Sequence, residues 1–412
     1  MYKYPAALIS SSFLCHAIHS RNSHLSRIPR SQFDQKIRMS SQPIRVGIIG
    51  YGLSAIVFHI PFIDASSQFK LQAVLQRSPP KSASDKHISN ARPEVRWVQN
   101  EDDFFALADV DLVVLSTPPA LHCAQALKAL EAGKHVIVEK PFTPTSAEAD
   151  TLVAAAKKSG KVLTVFQNRR FDSDFLTLQR LIQTTPSPMG EVLNFESTMD
   201  RWSPQPSAKS WKSSDPAAGS IFDLGAHIID QALVLFGVPE TVQAVLANQR
   251  TPEDQHSDDA FTIILGYEGL RKTVILRSSM LSCLAVQPRY QVRGTKGSFV
   301  KGGIDPQEDQ RVKVSPPLAI EAAEFGVEDS SIYGVLTTDA PIDGSKESVT
   351  KGMWETSVKS EKGNYLGFYE NLGKAIQGTG ELLVKPEEAR NVIKLIEVAK
   401  RSSKEGKRLA WE

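Results

Sequence analysis

The run Val46-Gly-Ile-Ile-Gly50-Tyr-Gly52-Leu-Ser-Ala55 decides the fold of this chain. Its apolar half predicts a buried β-strand, and its glycine-rich half predicts a tight turn into a helix. Gly50, Gly52 and Ala55 match the dinucleotide fingerprint, in which the first glycine allows the turn and the second lets the backbone approach a pyrophosphate. We expect Gly50, Gly52 and Leu53 to bind a dinucleotide at the helix N-terminus, where free N–H groups favour an anion. An incidental glycine turn is the weaker interpretation, because a series of βαβ patterns follows the motif.

Apolar runs and helical patterns alternate after this turn. Strands are predicted near residues 44–50, 71–76, 95–98, 112–117, 135–139 and 162–166. Such alternation is typical of βαβ units. It predicts an α/β fold with an N-terminal Rossmann domain, a doubly wound parallel sheet, over residues 44–167.

The pattern changes from residue 168 onward. Helices are predicted near 174–183 and 220–236, and strands follow one another near 240–248, 259–267, 271–279 and 288–293. Strands in direct succession favour antiparallel pairing. Residues 168–412 are therefore predicted to form an α+β domain with an open, mostly antiparallel sheet. Two helices near 364–375 and 386–402 are expected to close the chain and to pack back on the first domain, and residues 304–362 are expected to be loops with one short strand.

Composition narrows the class of ligand. A chain of 412 residues with 41% apolar and 23% charged residues is expected to fold into two domains. Its net charge of +2 is too small to attract nucleic acid or a membrane surface as the main partner. No apolar run reaches the length of about 20 residues that a bilayer requires. A small-molecule substrate is the expected partner.

Residues 1–43 form an N-terminal extension that differs from the rest, because before Met39 Asp34 is the only acid among several arginines and serines. This composition is typical of a mitochondrial transit peptide, but a disordered tail or a misassigned start is equally open. Cys15, Cys123 and Cys283 match no metal spacing, so no metal is expected. We expect a cytoplasmic protein, or a mitochondrial one if residues 1–38 act as a transit peptide.

The end of the second predicted strand indicates which dinucleotide binds. An Asp or Glu normally stands there to bind the ribose of NAD, but this chain has Gln76-Arg77-Ser78 and no acid between Asp64 and Asp85. Arg77 and Ser78 could hydrogen-bond a 2′-phosphate, so NADP is expected rather than NAD. A solvated surface arginine is the alternative.

Ligands of such sheets bind beyond the carboxyl ends of the strands. Residues in those positions after the fourth, fifth and sixth strands are expected to contact the cofactor: Thr117, Pro118, His122, Glu139, Lys140 and Asn168. His122 lies on the next predicted helix and is expected only as a hydrogen-bonding neighbour.

Lys140 is the leading catalytic candidate. It follows the β-branched strand that begins at His135 and precedes Pro141, which no central strand could contain. On the buried helix 220–236, Asp223, His227 and Asp230 lie at spacings of four and three residues and form one polar stripe. A capping or salt-bridging set inside the domain is the alternative for that stripe.

Together these three side chains could oxidise an alcohol. A hydride must leave carbon while a base removes the hydroxyl proton, and the reference pKa of histidine, near 6.5, suits His227 to proton transfer. Asp223 could orient His227, and Lys140 could hydrogen-bond the same oxygen. Which group takes the proton stays open at this point.

Several motifs together resemble the glucose-fructose oxidoreductase and inositol dehydrogenase family: Gly50-x-Gly52, Thr117-Pro118 with His122, Glu139-Lys140-Pro141, Gln167-Asn-Arg-Arg-Phe171 and Asp223-x-x-x-His227. The segments at 290–299, 305–308 and 326–334 resemble its branch of scyllo-inositol dehydrogenase-like NADP oxidoreductases. The resemblance runs from about Ile44 to the C-terminus. Pro119 departs from it, since many relatives have Asn there, and the extension has no counterpart.

The resemblance implies a Rossmann domain followed by an α/β domain whose open sheet often serves as a dimer face, so a homodimer or higher homo-oligomer is expected. It implies that Lys140 is the catalytic lysine and that Asp223 and His227 complete the site. The expected reaction transfers a hydride between NADP and a secondary hydroxyl or ketone of a cyclic polyol, sugar or related small molecule. Candidate substrate contacts are Arg169, Arg170, Trp211 and Tyr365.

Two other functions share this fold. A non-catalytic regulatory protein would bind NADP only as a signal, although such a sensor needs none of Lys140, Asp223 and His227. Hydrolysis of glycosides through redox cycling of a bound cofactor is the third possibility.

Overall fold

Six parallel strands form the first sheet of the computed structural model, which describes residues 42–206, 215–253 and 257–412. The strands are β1 (Ile44–Ile49), β2 (Phe69–Leu75), β3 (Arg96–Val98), β4 (Leu112–Leu115), β5 (His135–Val138) and β6 (Leu163–Val165). Their spatial order is β3-β2-β1-β4-β5-β6, which confirms the predicted Rossmann sheet. The order reverses between β1 and β4, and ligands of such sheets bind at this switch point.

The first sheet is buried on both faces. Along β1, Val46 and Ile48 pack into one hydrophobic core, whereas Ile49 packs into a second core. Two buried faces explain why these strands read as continuous apolar runs rather than alternating ones.

The segments between and after the strands of this sheet are helical. They form a π-helical turn (Ala55–His59), α-helices Ile60–Ala65, Ile88–Ala91, Glu101–Phe105, His122–Glu131 and Ser146–Ser159, and 3₁₀ turns Pro119–Leu121 and Asn168–Phe171.

Ten strands form the second sheet. They are β7 (Val192–Thr198), β8 (Thr241–Ala247), β9 (Ala260–Tyr267), β10 (Lys272–Ser279), β11 (Pro288–Gly294), β12 (Gly297–Gly302), β13 (Gly334–Thr338), β14 (Lys346–Glu347), β15 (Trp354–Val358) and β16 (Leu409–Ala410). Their order is β14-β15-β13-β12-β11-β7-β10-β9-β8-β16. Among the pairings described for this second sheet, only that of β7 with β10 is parallel, so the prediction of a mostly antiparallel sheet is confirmed.

The prediction for residues 304–362 was wrong. The structure has a helix at Gln307–Val312 and the strands β13, β14 and β15 there, where a single short strand was expected. β15 alternates exposed and partly buried residues and contributes little apolar surface. These strands are stabilised by pairing at one side of an existing sheet, and such pairing leaves a weak signal in the sequence.

The second half of the chain also contains the α-helices Ser173–Gln183, Gln307–Val312, Leu366–Ile376 and Pro386–Glu405. A π-helical turn, Ile221–Gly225, leads into a further helix, Ala226–Phe236, and 3₁₀ turns lie at Glu268–Leu270 and Ser330–Ile332. The last helix packs against both β8 and the helix Ser146–Ser159. The Ser146 N–H and hydroxyl donate to the Glu397 carboxylate at 2.8 and 2.6 Å. The C-terminal helix therefore joins the two sheets. None of the described helices combines the length and the apolar character needed to cross a bilayer.

Candidate functional site

The glycine turn after β1 has the shape that a pyrophosphate requires. Gly50 has a φ of +97°, and a Cβ atom there would lie 2.4 Å from the carbonyl oxygen of Ser116. A Cβ atom at Gly52 would meet nothing within 4 Å, so this part of the turn faces open space. The neighbouring Leu53 is 60% exposed. The turn is therefore open on the side where the fingerprint brings phosphate oxygens to backbone N–H groups, and its residues fit a dinucleotide.

The loop after β2 presents Arg77 and Ser78, both exposed. The Gly50 N–H donates to the Leu75 carbonyl at 3.0 Å, which holds the glycine turn next to this loop. The His87 ring lies 3.1 Å from the Ser78 carbonyl oxygen and anchors the loop from behind. Within the described part of the chain, Arg77 makes no hydrogen bond or ion pair. Its guanidinium is thus available to an anion from solvent.

The loop after β4 is tied to the loop after β5 by His122. The buried His122 ring lies 2.9 Å from the Thr117 carbonyl oxygen and 3.1 Å from that of Pro141. Burial lowers the pKa of His122. These contacts favour a structural role for His122, as expected from the sequence. Pro118 is exposed at the mouth of the site, and Asn168 is buried at the start of a 3₁₀ turn.

Lys140 is held by a residue of the other half of the chain. Its Nζ atom donates to Asp223 Oδ1 at 2.7 Å and to the Asp223 carbonyl oxygen at 2.9 Å. The Lys140 side chain is 20% exposed and that of Asp223 is 41% exposed, so a ligand can approach the pair from solvent. This carboxylate positions the lysine ammonium, and the expectation that it also orients His227 stays a prediction.

His227 is buried below this pair. Its exposed fraction is 5%, and its Nδ1 atom has no hydrogen-bond partner within the described residues. Burial lowers the pKa of His227 well below its ordinary value, and the positive charges of Lys140 and Arg169 lower it further. The imidazole is therefore neutral near pH 7. A neutral ring can accept a proton, but its lowered pKa makes it a weaker base than an ordinary histidine.

The helix that carries Asp223 and His227 begins with a π-helical turn, which the sequence did not predict. Residues Ile221–Gly225 are wound more widely than the α-helix that follows. Such turns often occur at functional sites. Asp258 fixes its start, because its carboxylate accepts the Ile221 N–H at 2.8 Å and the Ser220 hydroxyl at 2.6 Å. The sequence did not identify Asp258, because it lies far from Asp223 and His227 along the chain. The serine at the start of the predicted helix, Ser220, was the one indication that the helix start needed a cap.

Three of the four expected substrate contacts have other partners. The Arg170 guanidinium is buried, donates to both carboxylate oxygens of Asp230 at 2.7 and 2.6 Å, and reaches Glu388 at 2.7 Å. The Tyr365 hydroxyl, also buried, donates to Asp172 at 2.7 Å.

Arg169 completes the same buried network. It bonds Asp172 at 3.2 Å and Glu308 at 2.6 Å. These contacts favour structural roles for Arg169, Arg170 and Tyr365 over substrate binding. Trp211, the fourth candidate, and the N-terminal extension lie outside the described residues.

Two family models match the chain. Residues 44–167 match the model of an oxidoreductase family described as an NAD-binding Rossmann fold, and residues 187–410 match that of its C-terminal alpha/beta domain. The chain belongs to the Gfo/Idh/MocA oxidoreductase family. It is an NAD(P)-binding oxidoreductase, as the resemblance predicted.

Named relatives are similar over most of their length. The scyllo-inositol 2-dehydrogenase (NADP(+)) IolW of Bacillus subtilis is 34% identical over 92% of this chain and 98% of its own. An uncharacterized oxidoreductase of Schizosaccharomyces pombe, C26H5.09c, is 39% identical over 88% and 97%. The solved structure of the oxidoreductase yvaA of Bacillus subtilis superimposes with a TM-score of 0.80 at 33% identity, covering 90% of this chain and 99% of that one.

Proposed function

We propose that this family member is an NADP-dependent dehydrogenase that interconverts a secondary hydroxyl and a ketone on a cyclic polyol, a sugar or a related small molecule. One observation carries the proposal: the Lys140 ammonium is fixed by Asp223 at 2.7 Å, and Asp223 stands one helical turn before the buried His227. The name of the relative IolW supports the substrate class.

Each of the three side chains has a distinct task in this proposal. When bound, the nicotinamide ring supplies the chemistry of hydride exchange. The Lys140 ammonium donates a hydrogen bond to the substrate oxygen and stabilises negative charge there. His227 is neutral and takes the hydroxyl proton, although its lowered pKa makes it a weaker base than an ordinary histidine. Asp223 holds the ammonium in place.

The preference for NADP is supported by the loop after β2. Arg77 and Ser78 are exposed beside the glycine turn, and no acid stands there to repel a 2′-phosphate. An arginine can bind a phosphate through two parallel N–H bonds. The relative IolW carries NADP(+) in its name, which agrees with this preference.

A spectrophotometric screen tests the proposal. The purified protein is incubated with NADP or NAD and a panel of inositols, aldoses and other polyols, and in reverse with NADPH and the matching ketones. We expect turnover of a cyclic polyol with NADP and weaker turnover with NAD. Tight NADPH binding without any turnover across both panels would contradict this proposal and favour an NADP-binding regulatory protein.

We also propose that the open face of the second sheet joins two copies of the chain. One row of residues crosses this face from strand to strand through aligned pairs, in the order Ile264, Ile275, Glu196, Gln291, Val300 and Val335, so that two polar residues separate two pairs of aliphatic ones. Val300 is 52% exposed and Val335 is 43% exposed. Exposed aliphatic side chains at the centre of a large sheet are typical of a surface that a partner covers. A second copy would cover the row symmetrically.

A further inference from the structure

The buried carboxylate of Glu139 lies between the cofactor turn and the catalytic lysine. Glu139 directly precedes Lys140, and its residue surface is 8% exposed. Its Oε2 atom accepts the backbone N–H of Lys140 at 3.0 Å. Its Oε1 atom accepts the hydroxyl of Ser54, a residue of the glycine turn. One carboxylate therefore contacts both segments that must be placed correctly for reaction.

A second layer of side chains holds this carboxylate. The Nε2 atom of the fully buried His59 lies 2.9 Å from Glu139 Oε1, and its Nδ1 atom lies 2.7 Å from the Tyr369 hydroxyl. His59 ends the π-helical turn that follows Ser54, whereas Tyr369 lies on the helix Leu366–Ile376. Both ring nitrogens of His59 are thus engaged. The imidazole cannot rotate without losing a hydrogen bond at each end.

The charge of Glu139 argues against direct contact with the cofactor. Burial alone would raise the pKa of this carboxyl, but the hydrogen bond and charge of His59, the Ser54 hydroxyl and the Lys140 charge outweigh it, so the pKa lies below its ordinary value. Glu139 is therefore ionised at neutral pH. An anion that faced a pyrophosphate would repel it, and here His59, Ser54 and the Lys140 N–H surround the carboxylate instead.

We infer that Glu139 is a positioning residue that sets the backbone of Lys140 relative to the glycine turn, with His59 and Tyr369 holding Glu139 in place. This inference rests on the proposed role of Lys140. Misplacing a reacting group by about 1 Å can cost roughly 100-fold in rate, so a contact of this kind has kinetic consequences. The contact with Ser54 extends the same control to the site where phosphates bind.

The substitution Glu139→Gln tests the inference. In glutamine an NH2 group, which cannot accept a hydrogen bond, replaces one of the two carboxylate oxygens. At least one of the contacts with Ser54, His59 and the Lys140 N–H is therefore lost. We expect kcat to fall by roughly ten- to a hundredfold, with a smaller change in the KM for scyllo-inositol. The dissociation constant for NADPH, measured on the isolated protein by fluorescence titration, should rise by about threefold or more, because the Ser54 contact is weakened.

Glu397→Gln is the matched control. Glu397 also accepts a backbone N–H and a serine hydroxyl, both from Ser146, but it lies outside the site. We expect its kcat and its NADPH affinity to stay within about twofold of the wild-type values. Equal effects of Glu139→Gln and Glu397→Gln on both quantities would overturn the inference. The NADPH titration measures the effect of Glu139 on cofactor binding even if no polyol is turned over. Absence of turnover in the wild type would contradict the proposed function and leave this comparison of NADPH affinities intact.

Substitutions of Tyr369 and His59, which hold Glu139, test the inference without changing Glu139 itself. Tyr369→Phe removes one hydroxyl and should lower kcat by roughly two- to tenfold, the value of one hydrogen bond. His59→Gln can still donate to Glu139 and should retain more activity than His59→Leu, which cannot. The same activity in both His59 variants would show that this layer only fills space and would contradict the inference.

Discussion

The Nζ atom of Lys140 lies 2.7 Å from Oδ1 of Asp223, so a lysine that follows the first sheet is held by a carboxylate that belongs to the second half of the chain. The two residues are far apart in sequence, and only the folded chain brings them together. The site is thus complete only when both halves are folded and docked. This relationship defines the first prediction.

Replacing Lys140 with Met should lower turnover at least about a hundredfold, because the substrate oxygen loses its charged hydrogen-bond donor. The dissociation constant for NADPH should change by less than about threefold, since the glycine turn is untouched. Steady-state kinetics and fluorescence titration measure the two effects. Lys313→Met, at a side chain that is 72% exposed, is the control. Undiminished turnover in the Lys140 variant would refute the proposed role.

Replacing Arg77 with Ala should raise the KM for NADP by roughly tenfold or more and leave the KM for NAD nearly unchanged. The expected effect equals the loss of about 1.5 to 3 kcal/mol from hydrogen bonds to a charged phosphate. The control is Arg96→Ala, since Arg96 is also exposed but pairs with Asp109 at 2.9 Å. Equal losses for both dinucleotides would point to a general effect on the fold and against phosphate recognition.

Replacing Arg170 with Met should lower the free energy of unfolding by about 3 to 5 kcal/mol, because it leaves the Asp230 carboxylate buried without its cation. Urea denaturation measures the change. Arg271→Met breaks an exposed pair with Glu191 and should cost about 0 to 1 kcal/mol. If Arg170 contacts substrate instead, the variant will keep its stability and show a raised KM.

Lowering the pH should destabilise the protein through His227. Its pKa is lowered in the folded state, so between the unfolded value, near 6.5, and the folded value the unfolded chain binds more protons. The stability of the wild type therefore falls as pH drops below about 6.5, by up to about 1.4 kcal/mol per pH unit from this group. In His227→Gln the decline between pH 6.5 and 5 should be shallower, as measured by urea denaturation. Parallel curves for the two proteins would contradict the assignment.

Replacing Val300 with Asp should disrupt a dimer formed through the open sheet face, because it places a charge beside the exposed aliphatic side chain of Val335 on that face. Light scattering coupled to size exclusion should show half the wild-type mass. Val349→Asp, at a fully exposed position on a loop, should leave the mass unchanged. A wild-type mass of one chain at micromolar concentration would contradict the dimer itself.

The strands around the cofactor could be predicted because burial on both faces leaves continuous apolar runs in the sequence. The glycine turn and the lysine after β5 were also readable, since each combines a special backbone requirement with a strand end. β13 and β15 could not be recognised, because each is a five-residue strand that contributes one apolar side chain to the core, Leu336 and Val358 respectively, and such short strands leave a weak pattern.

The partners of the charged residues were also unpredictable. Arg170 looks like a substrate contact in the sequence, yet its carboxylate partners Asp230 and Glu388 come from helices distant along the chain. Ser54 and His59 gave no signal, since a serine in a turn and a histidine among apolar residues each have many ordinary explanations. Only their shared contact with Glu139 distinguishes them.

The helix Pro386–Glu405 has a consequence for biosynthesis. It covers the helix Ser146–Ser159 of the first sheet and lies against β8, and β16 after it pairs with β8. The ribosome delivers this helix after both of the segments that it covers, so those segments wait with their apolar surface uncovered until the helix has been synthesised. A nonsense codon shortly before that helix would leave β8 and the helix Ser146–Ser159 uncovered at once. We expect chaperones and proteases to remove such a truncated chain, so that it yields no partly active enzyme.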